Sequence, residues 1–339
     1  MVSVIIPNYN YARTLPLCLE HLAKQTYTPI EVIVADDCST DDSVRIARAY
    51  GARVVQPERN SGQAVARNLG AAAARGDILF FLDSDVALRP DAVANAVAVL
   101  RDDPAIGAVC GCYTDRPLLR DSRIEEYRCL HQHFWFVESE GPIAALNTAI
   151  CAIRADVFAE VGPFNPRLRD IEDHDYGLRI SRRYRVWSTA AVSGDHDHDD
   201  TLRVILRKVF HRTRRGVPLF IRRRGLPGGF ATGPRAVGSL LTLAAVLALG
   251  VPPVAGPAWL PLPVALLAAG YACDWRLYRW VLDRRGAAFA AYFAGVHLVV
   301  NLAVATGALV GLGQWLLSRR FRQAYVEVGG TVSSPASTG

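Results

Sequence analysis

At 339 residues, with 51% hydrophobic and 21% charged side chains, the chain is too long for one small domain and too apolar to be disordered or fibrous. Its net charge of +6 is unevenly placed: residues 1–200 hold 29 Asp and Glu against 21 Lys and Arg, and residues 201–339 hold 3 against 17. An acidic folded half joined to a basic apolar half excludes a nucleic-acid binder, whose positive surface belongs on the recognition module, and points to an anionic membrane surface as the partner of the second half.

The first residues, Met1–Pro7, lack a basic stretch and carry only a short apolar run, so no signal peptide is expected and the first domain is expected to stay in the cytoplasm. Val2–Ile6 is β-branched and ends at Pro7 and Asn8, and Thr14–Gln25 carries Leu15, Cys18, Leu19 and Leu22 at helical spacing. Glu31–Ala35 repeats the strand pattern and stops at Asp36-Asp37, Asp41–Ala49 reads as a helix, and Arg53–Gln56 as a third short strand. This alternation predicts a parallel sheet covered by helices, an α/β fold. Asn60–Arg75 is helical by its Ala64, Ala66, Leu69, Ala71 and Ala72, and Asp77–Leu82 is a buried-type strand ending at Asp83-Ser84-Asp85. Ligands of open α/β sheets sit beyond the carboxyl ends of the strands. Three strand ends deliver Asn8 with Tyr9, Asp36 with Asp37, and Asp83 with Asp85 to that edge.

A helix is expected over Asp91–Leu100, a strand over Ile106–Tyr113, and an irregular or helical aromatic-rich stretch over Arg116–Val137. Strand character over Ala144–Ile153, an acid-headed helix over Ile171–Arg182 and a last strand over Val186–Val192 complete a domain that should close near residue 200. The seven cysteines form neither CxxC pairs nor a secreted framework and read as reduced packing residues.

Thr201–Arg224 mixes apolar residues with nine Lys or Arg, which suits an amphipathic helix on anionic lipid, and 201–235 is expected to lie at the interface. Ala236–Cys273 carries no charge and is broken at Pro252-Pro253 and Gly256-Pro257, as expected of a hairpin of two short helices at about 20 residues per crossing. Gly286–Ser318 is a third uncharged run, with His297 its one group that titrates near neutral pH, so 236–318 is expected to be a multi-pass region of two or three helices. Arg222–Arg224 with Arg235, and Arg276, Arg279, Arg284 and Arg285, then lie inside, but Arg319, Arg320 and Arg322 fall outside on a three-pass count, against the positive-inside rule. Either the third run re-enters or an earlier segment does not cross. The tail, 329–339, is expected to be disordered.

An Asp-x-Asp pair alone is as compatible with a helix cap as with a metal site. At a strand end it offers the hard oxygens with which Mg²⁺ or Mn²⁺ bridges a diphosphate. With Val2–Asn10, Val34–Asp41, Asn60–Gly70 and Asp83–Asp85 in this order, the sequence resembles the family 2 inverting glycosyltransferases of the GT-A fold, in their membrane-anchored bacterial type, over roughly residues 1–200. The resemblance implies a nucleotide-diphospho-sugar donor, a UDP-sugar foremost, with Pro7, Tyr9, Asp36, Asp37, Arg67 and Asp83 on the nucleotide-sugar side. Tyr9 would stack on the base and Asp37 would accept its hydrogen bond. It implies Asp85 as the direct ligand of a divalent metal, Mn²⁺ or Mg²⁺, completed by His196, which fits the spacing better than His198. Within Asp170-Ile171-Glu172-Asp173-His174-Asp175 it implies Asp173 as the catalytic base and Glu172 as an acceptor-binding group. Taken without the upstream motifs, these acids complement a helix dipole. The sequence departs from the family at Ala35, Cys38 and Ser84, where Val, Gly and Ala are usual, and no carboxylate is lost.

A dehydrogenase is disfavoured because Pro-Asn-Tyr-Asn-Tyr stands where a GxGxxG turn would be. A nucleotidyltransferase would want a Gly- and Lys/Arg-rich phosphate loop near the start, and a non-catalytic scaffold would be expected to have lost Asp85 or Asp173. No Gln-x-x-Arg-Trp motif marks a processive synthase. The expected acceptor is a lipid-linked or cell-surface glycan at the cytoplasmic face of the inner or plasma membrane.

Overall fold

The computed structural model describes residues 1–223 and 233–325; the expected disordered tail lies outside them. In the described residues the strands are β1 (Val2–Asn8), β2 (Ile30–Asp36), β3 (Arg53–Val55), β4 (Ile78–Leu82), β5 (Val86–Leu88), β6 (Ile106–Pro117), β7 (Gly141–Ile143), β8 (Ile150–Arg154) and β9 (Arg185–His196). The helices of the first 200 residues are α1 (Leu15–Ala23), α2 (Ser43–Ala49), α3 (Gln63–Ala73), α4 (Ala92–Asp102), α5 (Arg123–Val137), α6 (Ala155–Val161) and α7 (Glu172–Ile180). Beyond them come α8 (Leu202–Arg223), α9 (Gly233–Ala248), α10 (Pro252–Ala255), α11 (Pro261–Ala272), α12 (Trp275–Leu317) and α13 (Arg319–Gln323).

The sheet runs in the order β3-β2-β1-β4-β8-β6-β9-β5, with β7 added against β9. β1, buried at every residue, lies between parallel β2 and β4, as its apolar β-branched run, interrupted only by Ser3, requires. The chain winds outward from β1 to β3 and then crosses back to β4 on the other side of β1. This makes a topological switch point between β1 and β4, the place where such sheets open a ligand crevice. Helix α3 seats closely over β1: a Cβ on Gly70 would come within 2.4 Å of Ile5 Cγ2.

Two elements exceed the sequence expectation. β9 continues past Val192 to His196 because antiparallel β5, too short to read from sequence, pairs Val86 with His196 and Leu88 with Gly194 on one side, while β6 pairs Tyr113 with Gly194 and Pro117 with His196 on the other. The stretch before Val137 divides into strand β6 and helix α5, whose start is capped by Ser122 Oγ accepting from Glu125 N at 3.0 Å. All seven cysteines are free.

The uncharged run 236–273 does fold as a helical hairpin, with α9 packed on α11. One helix among the described residues, α12, is long and apolar enough to cross a membrane, while α9 and the Pro257–Ala272 stretch are shorter apolar helices. α12 is broken at Gly286, where φ is 77°.

Candidate active site

The carboxyl ends of β1, β2 and β4 gather the expected groups at the switch point. Asp36 is fully buried and satisfied within the chain: its carboxylate accepts from Asn8 Nδ2 at 2.8 Å, Ser39 N at 2.9 Å, Ser39 Oγ at 2.5 Å and Gln56 Nε2 at 2.9 Å. It therefore fastens the β1 and β2 ends together. Asp37 accepts from Ser61 N at 2.8 Å and Gly62 N at 2.7 Å, holding the entry to α3. Pro7 is buried in β1 opposite Ala35, and Tyr9, just past the strand, leaves its ring 45% exposed. Of these four, Tyr9 is the one with a free face.

Arg67, projecting from α3 and 2% exposed, joins two of the acids: Nη1 donates to Glu172 Oε1 at 2.7 Å and Nη2 to Asp83 Oδ1 at 3.0 Å. Burial works against its charge, but Asp83 and Glu172 more than offset this and raise its pKa. Glu172 opens α7 and is 1% exposed, and burial lifts its carboxyl to about 7 although Arg67 pulls it down. Asp173, the next residue, is only half-buried and accepts from the amide of His174 at 2.8 Å. The two acids thus differ in environment: Glu172 is locked behind Arg67, while Asp173 keeps access to solvent. α7 can sit this deep because Gly177 faces the backbone of Leu146, where a Cβ would come within 2.5 Å.

Asp85 is 9% exposed and its Oδ1 has no hydrogen-bond partner, while burial and then the Asp83 charge hold its carboxyl well above the usual range. His196 Nε2 stands 3.5 Å from that oxygen because Val86 and His196 are register partners. Burial lowers the His196 pKa to about 3, so its ring is neutral at physiological pH. Its Nδ1 lies 3.0 Å from Nδ1 of buried His198, so His196 faces the acid and His198 stands behind it. Among the described residues no three His, Cys, Asp or Glu groups close into a full metal cage. The orphaned carboxylate oxygen and the neutral imidazole are nevertheless the donor types a divalent cation takes, and such cations commonly complete their shell with substrate phosphate and water. The residues fit the expected metal as an open half-shell.

Sequence reasoning missed several neighbours. Tyr11, beyond β1, turns its hydroxyl to Asp85, whose charge raises the phenol's pKa. Tyr113 of β6 packs its ring 4.3 Å from His196 and 5.3 Å from His198. Helix α8, expected to serve lipid, also serves the cleft. Burial opposes the charge of Arg212, but Asp173 and Glu172 raise its pKa overall. Lys208, one turn earlier, pairs with Asp199. Burial and Arg212 both lower the pKa of Arg128 on α5. The spacing of Lys208, Arg212 and Arg215, one stripe of a helix, was the available signal.

A mixed sheet whose parallel β3-β2-β1-β4 half opens an acid-lined crevice at its switch point, continued by a second half with both antiparallel and parallel pairings, is the arrangement of the GT-A fold. A mannosyltransferase from Pyrobaculum calidifontis, solved with GDP-Man and Mn²⁺, superposes with a TM-score of 0.57 at 22% identity, covering 91% of this chain and 86% of that one. Residues 3–123 match Glycosyl transferase family 2. An uncharacterized glycosyltransferase of Haemophilus influenzae is 30% identical over 187 residues, 53% of this chain and 62% of the relative. Glycosyltransferase GlyG of Streptococcus pneumoniae is 41% identical over 90 residues, 25% of this chain and 30% of the relative. The chain therefore spans less than two thirds of these relatives.

Proposed function

We propose that the protein is an inverting glycosyltransferase that moves a sugar from a nucleotide-diphospho-sugar, a UDP-sugar foremost, to a lipid-linked or cell-surface glycan acceptor. The observation that carries this reading is the split between Glu172 and Asp173: one acid is buried against Arg67 and Asp83, and its neighbour is open to an incoming acceptor. Inversion needs one base that reaches solvent-borne substrate and a fixed, charged floor for the leaving group.

In this reading the base of the nucleotide stacks on Tyr9, and Asp36 and Asp37 hold the loops around it. Asp173 accepts the proton of the acceptor hydroxyl as that oxygen attacks the anomeric carbon. The bond from that carbon to the diphosphate breaks on the opposite face, and the nucleoside diphosphate leaves. A divalent cation, Mn²⁺ or Mg²⁺, held by Asp85 and His196 with Asp83 alongside, would supply positive charge to the leaving diphosphate. Arg67 keeps Asp83 and Glu172 in place, and Arg212 sets a cation against Asp173 and Glu172. The apolar helices α9–α12 support attachment to the inner or plasma membrane, with the catalytic domain on the cytoplasmic side.

The test is binding of UDP, GDP, dTDP and CMP to the detergent-solubilised protein with and without Mn²⁺, using Asp85→Ala as control. Metal-dependent binding of one nucleoside diphosphate, lost in Asp85→Ala, is expected. A folded protein that binds none of them would be a scaffold, not an enzyme.

A further inference from the structure

The parity conflict in the arginine count has a structural answer in the path of α12. Its first part packs on the catalytic domain: Leu277 and Val281 join Tyr127, Leu130 and Phe134 of α5, and Arg284 and Arg285 pair with Asp115 and Glu126 at 2.7 and 2.8 Å. Past the break at Gly286, the helix runs against α8 so closely that a Cβ on Gly307 would sit 2.7 Å from Phe210 O. Its far end returns to the same domain. Trp315 joins Leu168, Ile171, Leu219 and Tyr325, and the Tyr325 hydroxyl donates to Arg215 O at 2.6 Å.

The stretch beyond Gly286 is about 45 Å long at ~1.5 Å per residue, more than the ~30 Å of a bilayer core. A helix crossing that core would have its ends on opposite sides, yet both ends of this one touch one folded domain. We infer that α12 lies along the surface of an anionic bilayer without crossing it, and that α8 and α12 together form the layer on which the catalytic domain docks. This rests on the membrane attachment proposed above and specifies its geometry.

Charge and exposure fit that occupant. The outer face of α12 leaves Leu309, Leu312, Leu316 and Leu317 exposed, the last at 88%. At its end a cleft of about 630 Å³ is lined by Arg167, Arg169, Arg214, Arg215 and Arg320, at the level where headgroup phosphates would lie. The α9–α11 hairpin returns to the side it left, with Leu247, Val254 and Trp259 exposed around its turn. Every basic flank then falls on the catalytic side, and the positive-inside rule is obeyed. Ile171, in the cluster at the end of α12, precedes Glu172 and Asp173, so docking sets the base beside the lipid surface.

The test uses the full chain reconstituted in sealed vesicles of phosphatidylethanolamine and phosphatidylglycerol, with Cys38 and Cys273 replaced by Ser. Single cysteines are introduced as Ala287→Cys, Arg319→Cys and, as a reference on the catalytic domain, Glu58→Cys; all three positions are exposed. Flotation with these vesicles, at least tenfold weaker with pure phosphatidylcholine, is expected. So is equal modification of all three cysteines by an impermeant maleimide added outside. Protection of Arg319→Cys until detergent opens the vesicles, while Glu58→Cys reacts, would overturn the in-plane path and leave membrane attachment standing. A folded protein that does not float, as monomer or as a dimer closing this face on a second copy, would overturn both.

Discussion

Arg67 and Glu172 are 105 residues apart in sequence and 2.7 Å apart in the fold, and the same guanidinium reaches Asp83 at 3.0 Å. One buried cation thereby sets the distance between the end of β4 and the start of α7. Arg67→Ala strands the buried Glu172 carboxylate, and loss of one partner of a buried pair costs about 3–5 kcal/mol. Arg67→Lys cannot hold two acids with a planar fork and should recover part of the stability but little of the activity. Urea unfolding and transfer assays on both variants check this; a wild-type midpoint for Arg67→Ala would refute it.

Asp173→Asn is expected to lower kcat by about 10²–10⁴ while nucleotide affinity stays within twofold, since a base acts on the acceptor and not on the donor. Glu172→Gln should instead affect KM for the acceptor and stability more than kcat. Equal kcat losses in both variants, with unchanged KM, would reverse the assignment of the two acids.

Glu172 also predicts a pH dependence. Burial raises its carboxyl from 4.5 to about 7, so the folded chain holds the proton more tightly than the unfolded chain. Its contribution to stability is fully present below about pH 4.5 and is lost as pH rises through about 7. Denaturant midpoints at pH 5.5 and 8 should therefore differ more in the wild type than in Glu172→Gln, which cannot titrate. Parallel pH profiles for the two proteins would show that Glu172 is not the source.

The two histidines separate by position. His196 faces Asp85 at 3.5 Å, and His198 stands behind it, meeting the far nitrogen of His196 at 3.0 Å and the Tyr113 ring. His196→Ala should abolish Mn²⁺-dependent nucleotide binding. His198→Ala, which removes only the support behind the ligand, should weaken it about 10- to 100-fold. Titration calorimetry with Mn²⁺ and UDP distinguishes them, and a larger loss in His198→Ala would exchange their roles.

Cys38 adopts φ 66° in the loop after β2, a left-handed conformation that favours glycine. Cys38→Gly should raise stability by about 1 kcal/mol. A fall in the thermal midpoint would mean that its thiol contact with Pro57 O, at 3.4 Å, outweighs the backbone.

What the sequence made legible follows local pattern. β1 and β4 were readable because each is an apolar run, broken in β1 only by Ser3, that ends at polar residues, and the groups at those ends, Asn8 and Asp83 with Asp85, come with them. β5 spans only Val86–Leu88, and the end of β9, Ser193-Gly194-Asp195-His196, has no strand pattern; β5 exists because β9 pairs with it, and the end of β9 is held between β5 and β6. The same tertiary logic hid Tyr113, an ordinary strand residue until β9 brings the histidines beside it. The charges of α8 were visible, but periodicity cannot tell which charged stripe turns to Asp173 and Glu172. Nor could uncharged runs alone reveal that α12 leaves the catalytic domain and returns to it.

Gly177 places the acids of α7. Its Cα faces Leu146 N, Ala144 O and Ala145 C, all of which a Cβ would meet at 2.5–2.9 Å. These are backbone atoms, so no side-chain rotation can relieve the contact, and Gly177→Ala must push α7 outward. Glu172 sits at the first turn of that helix and meets Arg67 at 2.7 Å, so a shift of even half an ångström loosens the link to Asp83. The expected result is a loss of kcat of at least tenfold, with nucleotide binding retained because Asp85, between β4 and β5, and His196, at the end of β9, lie outside that helix. Since a 1 Å misplacement can cost 10²-fold in rate, the kinetic effect should exceed what the change in unfolding midpoint suggests. Wild-type kcat in Gly177→Ala would mean that α7 does not fix the position of Asp173.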